Sequence, residues 1–309
     1  MTMRKRVEAM LVRRGIDPSF LGMYDAPGRF YHNWDHLEDL ITLMGLDVDR
    51  DEDLLKVLAV LFHDAVCVPG EPDNEELSAR LFDRTVPSGL SATEHEMVRT
   101  AITDTKTHVT SGNYVSDALC LADMHHLYNG DIDRLAADER KVMREFQRFP
   151  YAAYRKGRLD FLNGLPNKSA AVRSLIHLVE HRRVRVAVLS HGFSRDDVSR
   201  DLVERLERTF DKVVLAMHIP WHAGTQWVGA LDAPHWSYYE RKMWSSVGEL
   251  VAVADPEFCT HVVAWGDARR DEAVALHDML LKDGRCPVVM LPERLTHRRF
   301  SDDEATHLL

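Results

Sequence analysis

His63 and Asp64 stand side by side directly after the apolar run LeuAlaValLeuPhe at 58–62, so a helix end is expected to carry an imidazole and a carboxylate together. Both can reach one ion only if the backbone turns there, and AlaValCysValProGly at 65–70 ends the helix soon after. His36 and a later acid, Asp123, extend the pair to two imidazoles and two carboxylates. A mixed nitrogen and oxygen set suits one divalent ion among Mn²⁺, Fe²⁺, Co²⁺, Ni²⁺ and Zn²⁺, with Mg²⁺ less well matched to histidine. A His-Asp dipeptide alone is a weak signal. TyrHisAsnTrpAspHis at 31–36 strengthens it, because His32 and His36 share one helical face if the helix already begins there.

Rigid elements must hold these groups. The segments near 34–45, 51–65, 74–85, 91–104, 116–129, 131–148 and 150–162 carry apolar residues three and four apart, with Pro, Gly or Asp between them, and are expected to be helices. SerAlaThrGlu at 91–94 has the form of a capping box. Beyond residue 180 the pattern changes. Strands are expected at 183–190, 212–218, 261–265 and 287–291. Helices are expected at 196–210, after the Trp-, Gly- and Pro-rich loop 220–236, and at 271–282. The fold class expected is α+β in two domains: a helical domain over 1–180, then a small α/β Rossmann-like parallel sheet over 184–309.

Four segments in order carry a family resemblance. They are ArgPheTyrHisAsnTrpAspHisLeu (29–37), the stretch LeuPheHisAspAlaValCysValProGlyGluProAspAsnGluGluLeuSerAla (61–79), LeuAlaAspMet (121–124), and ArgGluPheGlnArgPhePro with TyrArgLysGlyArg (144–150 and 154–158). Through them residues 1–165 resemble the HD-domain superfamily of metal-dependent phosphohydrolases, and within it a small bacterial branch. The resemblance implies an all-helical fold and a ligand set of His36, His63, Asp64 and Asp123. Two-metal relatives carry a histidine-glutamate motif after the His-Asp pair; Asn74 and Glu75 take its place here, so a single ion is expected.

A divalent cation in such a site activates water, polarises a phosphoryl oxygen and aligns the two, provided coordination positions stay open. Asp64 is the residue expected to ligate the ion and orient the water, and Glu75 is the candidate general base or leaving-group acid. Arg29, His32, His108 and Arg158 are the candidates to hold phosphate oxygens, with Lys106 and Arg155 behind them. His108 belongs to a ThrLysThrHis run that resembles one in the family.

The second half has no GxGxxG after its first strand and no GxxxxGK[ST], which disfavours conventional NAD and ATP cradles. Its element order faintly resembles SLOG-type nucleotide-binding Rossmannoid domains, through ValAlaTrpGlyAspAlaArgArgAspGluAla at 263–273. Trp221, Trp227, Trp236, Tyr238 and Tyr239 offer faces on which a base could stack. A docking or dimerisation role is the plainer reading of this half.

Composition bounds the rest. Acidic residues outnumber basic ones, 49 to 39, which leaves no general basic field for duplex nucleic acid. No apolar run is long enough for a membrane span, and MTMRKRVEAMLVRRG has no signal-peptide core, so a cytoplasmic protein is expected. Cys67, Cys120, Cys259 and Cys286 form no CxxC pair, which argues against a disulfide framework. The function expected is a metal-dependent phosphohydrolase acting on a small phosphomonoester or nucleotide. Its partner would be that phosphorylated substrate, and a homo-oligomer is compatible with the sequence. The alternative is a nucleotide-sensing protein whose metal is structural and whose C-terminal half binds the ligand.

Overall fold

A computed structural model of the chain describes residues 1–86, 88–109, 111–182, 184–191, 211–218, 240–244 and 259–264. The chain divides into two compact units. The first comprises Met1–Glu145 with Pro166–Leu175, and the second Phe146–Leu165 with Ile176–Leu309.

Helix α3 (Leu54–Phe62) is the hub of the first unit. Its sequence LeuLeuLysValLeuAlaValLeuPhe is apolar on nearly every side, and Leu55 and all residues from Val57 to Phe62 are buried. A helix with no polar face must be surrounded. Here α2 (Trp34–Leu43), α4 (Asn74–Thr85), α5 (Ala92–Asp104) and α6 (Tyr114–Asp123) pack against it. Phe62 stacks on Phe20 with ring centroids 4.1 Å apart and meets Phe82 edge-on at 5.4 Å. The end of α3 leaves carbonyls without helical partners. The buried Tyr24 hydroxyl donates to one of them, Leu61 O, at 2.9 Å, and so fixes the turn that carries His63 and Asp64.

Caps set the other helix ends. Ser91 and Glu94 form the reciprocal box that begins α5. Asn33 caps α2, its side chain accepting from the amides of Asp35 at 2.9 Å and His36 at 3.4 Å. The helix therefore starts at Trp34, and His32 lies outside it, where the spacing alone suggested one continuous face. Around this set are α1 (Met3–Arg13), α7 (His125–Asn129) and α8 (Ile132–Glu145). Helices α9 (Tyr151–Gly164) and α10 (Ala170–His181) follow.

The strands described are β1 (Val184–His191), β2 (Lys212–His218), β3 (Glu240–Trp244) and β4 (Cys259–Ala264), paired in parallel in the order β3-β2-β1-β4. The fold class expected from the sequence, α+β with a Rossmann-like second half, is corrected here. The described residues of 1–182 are helices and their connections with no strand among them, and helix dominates the described chain. Beyond them the described residues are the four strands alone, and the segments that join these strands lie outside the described residues, so an alternation of strand with helix is not part of the described structure. Glu240–Trp244, expected within a helix, runs instead as a strand beside β2. Glu, Arg, Lys and Met are good helix formers, and pairing along a sheet edge overrides that local preference.

The helices expected at 196–210 and 271–282, the strand at 287–291, the strand-end loops, Cys286 and the aromatic residues Trp221, Trp227, Trp236, Tyr238 and Tyr239 lie outside the described residues. Among the described residues no helix is long and apolar enough to cross a membrane.

Candidate metal centre

His36 comes from the first turn of α2, His63 and Asp64 from the end of α3, and Asp123 from the last residue of α6. Ligand atoms of His36, His63 and Asp64 lie within 4.8 Å of one another. His63 Nε2 is 3.0 Å from Asp64 Oδ2, and His36 Nε2 is 3.7 Å from the same oxygen. Asp123 joins through His36, its Oδ1 standing 3.2 Å from Nε2. Two donors each about 2.1 Å from one ion stand roughly 3.0–3.4 Å apart in octahedral or tetrahedral geometry; the separations of 3.0 and 3.2 Å fall in that range and the 3.7 Å one lies just above it.

Direction matters as much as distance. His36 Nε2 and His63 Nε2 are both fully buried, and neither has a hydrogen-bond partner although carboxylate oxygens stand 3.0–3.7 Å away. An unpaired buried polar atom costs about 1–3 kcal/mol. Two such nitrogens beside carboxylates could hold a cation. His63 is also oriented from behind: its Nδ1 lies 2.8 Å from Val60 O, to which it donates, turning Nε2 toward the cluster.

The electrostatics agree with a site built for positive charge. Burial alone would push the His63 imidazole down, but the charge of Asp64 outweighs it and raises it to about 9. Burial opposes the Asp64 carboxylate too, and the His63 and His32 imidazoles nevertheless hold it well below the usual carboxylate range. Asp123 is likewise held low against its burial, chiefly by the hydrogen bond from His108 and by the neighbouring imidazoles.

Two further histidines flank the cluster. His108 Nε2 is 2.8 Å from Asp123 Oδ2, and its φ of 52° is left-handed, a conformation few residues other than glycine adopt. His32 is held by Glu145. One oxygen of that carboxylate accepts the amides of Phe30, Tyr31 and His32 at 2.8–2.9 Å, and the other is 2.5 Å from His32 Nδ1. Burial works against a charge on His32, yet Glu145 and Asp64 raise it well above an ordinary histidine. The Cys67 thiol is a further neighbour of the ring.

The remaining candidates fall elsewhere. Arg29 donates to the carbonyls of His32, Asp64 and Ala65 at 3.0, 2.6 and 2.7 Å, so its guanidinium braces the two ligand-bearing loops against each other. Glu75 is half-buried in the first turn of α4 and, among the described residues, makes no hydrogen bond or ion pair. Asn74 closes the loop before α4, exchanging hydrogen bonds with the amide and carbonyl of Val68. Lys106 pairs with Glu76 at 3.0 Å. Arg158 belongs to the second unit, stacked over Phe161, and Arg155 of the same unit donates to Val179 O and Glu180 O.

Glu145 escaped the sequence reading. Its only local signal is its place in the ArgGluPhe run at 144–146, which by itself reads as a helix-end acid. With the geometry in view, no family profile, curated protein or solved structure matches the chain.

Proposed function

We propose that the chain is a metal-dependent phosphohydrolase whose centre is His36, His63, Asp64 and Asp123. The observation that carries this reading is the pair of buried imidazole nitrogens without a hydrogen-bond partner, beside the carboxylates of Asp64 and Asp123. A divalent ion of the Mn²⁺ to Zn²⁺ series held there supplies Lewis acidity toward a phosphoryl oxygen and toward water.

The chain's own groups divide the remaining work. His36 and His63 form the closed floor, with side chains 5% and 0% exposed, whereas Asp64, Asp123, His32 and His108 are 16–25% exposed. Solvent therefore reaches the cluster on that side. This exposure favours a catalytic site over the alternative of a closed structural ion in a nucleotide-sensing protein. Asp64, on the more exposed side, is assigned the role of orienting an attacking water. His32, whose charged form Glu145 favours, is assigned to phosphate oxygens and to protonating the departing oxygen, with the His108 ring beside Asp123 as a further contact for the phosphate. Arg29 acts as a positioning residue. Substrates fitting this chemistry are small phosphomonoesters, nucleotides among them, and the setting proposed is the cytoplasm.

The test is a screen of the metal-loaded chain against nucleoside mono-, di- and triphosphates, with elemental analysis of the same sample. Release of phosphate, pyrophosphate or triphosphate that chelator abolishes and the same ion restores is the expected result. A chain that holds one ion yet hydrolyses none of these would point to the structural-ion alternative.

A further inference from the structure

The last turn of α10 carries a second constellation, made of residues of the second unit alone. His177, Glu180 and His181 are all exposed, and a ligand atom of each lies within 4.8 Å of the others. The spacing His-x-x-Glu-His puts the two imidazoles four residues apart on one helical face with a carboxylate beside them, a helical arrangement suited to zinc. The two rings already meet edge-on, centroids 4.3 Å apart.

We propose that His177, Glu180 and His181 form a surface site for a divalent transition ion of the Zn²⁺, Ni²⁺ or Cu²⁺ kind. Three features of the surroundings support it. The triad stands at the C-terminal turn of its helix, where the backbone dipole favours a cation. That turn is pinned, because Arg155 donates to the carbonyls of Val179 at 3.3 Å and Glu180 at 2.6 Å, so little ordering is needed on binding. The charge of the adjacent Arg182 is offset by Asp211 at 3.0 Å. Two imidazoles and one carboxylate leave a coordination position for water, and the nitrogen-rich set prefers these ions to Mg²⁺ or Ca²⁺.

The experiment is equilibrium dialysis of the full chain, stripped by chelator, against Zn²⁺. It is run on the parent, on His177→Ala/His181→Ala, on His63→Ala, and on all three substitutions together. The double variant is expected to hold one equivalent fewer than the parent, and the same loss is expected on the His63→Ala background. Glu180→Gln keeps the equivalent but with a raised dissociation constant. Far-UV circular dichroism should match the parent, since all three side chains face solvent. A double variant that binds as many equivalents as the parent, with equal affinity, overturns the proposal. Failure of the buried centre reads differently: His63→Ala alone would then cost no equivalent, while the loss from the α10 pair would remain.

Discussion

Glu145 Oε2 lies 2.5 Å from His32 Nδ1 across 113 residues of sequence, while its partner oxygen gathers three consecutive amides of the loop leading into α2. One buried carboxylate thus shapes the loop before His36 and sets the charge of the imidazole beside the centre. Charge-assisted bonds of this kind contribute about 1.5–3 kcal/mol each. Glu145→Gln should therefore cost on the order of 2 kcal/mol in a urea titration. It should also lower phosphate release at least tenfold while leaving metal affinity close to that of the parent. Unchanged turnover would remove His32 from the proposed chemistry.

His108 separates strain from function. A side chain held at φ 52° costs about 1 kcal/mol relative to glycine. His108→Gly and His108→Ala both lose the contact with Asp123, but only the glycine variant sheds the strain. The glycine protein should be the more stable of the two by about 1 kcal/mol, with both equally impaired in hydrolysis. Equal stabilities would show that the left-handed conformation carries no cost here.

Stability of the metal-stripped chain should depend on pH through His63. Its ordinary value of 6.5 rises to about 9 in the folded chain, where burial opposes the charge and attraction to Asp64 prevails. A group raised on folding stabilises fully below its unfolded value and ceases to do so as pH climbs through the folded one. The melting temperature of the stripped protein should fall between about pH 6.5 and 9. The loaded protein should not show this fall, because the cation takes the proton's place. A flat profile in the stripped chain would speak against the His63–Asp64 pairing.

Much of the centre was legible because its parts are local. An apolar helix followed by His63 and Asp64, then a Pro-Gly turn, places two donors at one helix end whatever the rest of the chain does. The place of His32 outside α2 was hidden by the competing role of Asn33, which as the N-cap starts the helix at Trp34, two residues later than the spacing suggests. Glu145 was illegible for the opposite reason, since its partners are separated from it by most of a domain. Charge and nearness in sequence to His36 mark Arg29 as a substrate cation, and only geometry shows its donors turned to carbonyls. Glu240–Trp244 was read as helix because strand pairing is a property of its neighbour.

Removing the ion should also soften the fold. An ion bound only by the native state adds about 2.7 kcal/mol when free at 100 times its Kd. Chelation should then lower the melting temperature of the helical unit by several degrees. No shift on chelation would mean that the native state holds no such ion.

The sharpest measurement is phosphate release by Asp64→Asn beside the parent, both purified free of other phosphatases and loaded with the same ion. The substitution keeps the shape of the side chain and removes its charge. A fall of about a hundredfold or more, with the helical signal unchanged, is the expected outcome. Hydrolysis at the parent's rate would contradict the assignment of this cluster as the reacting centre.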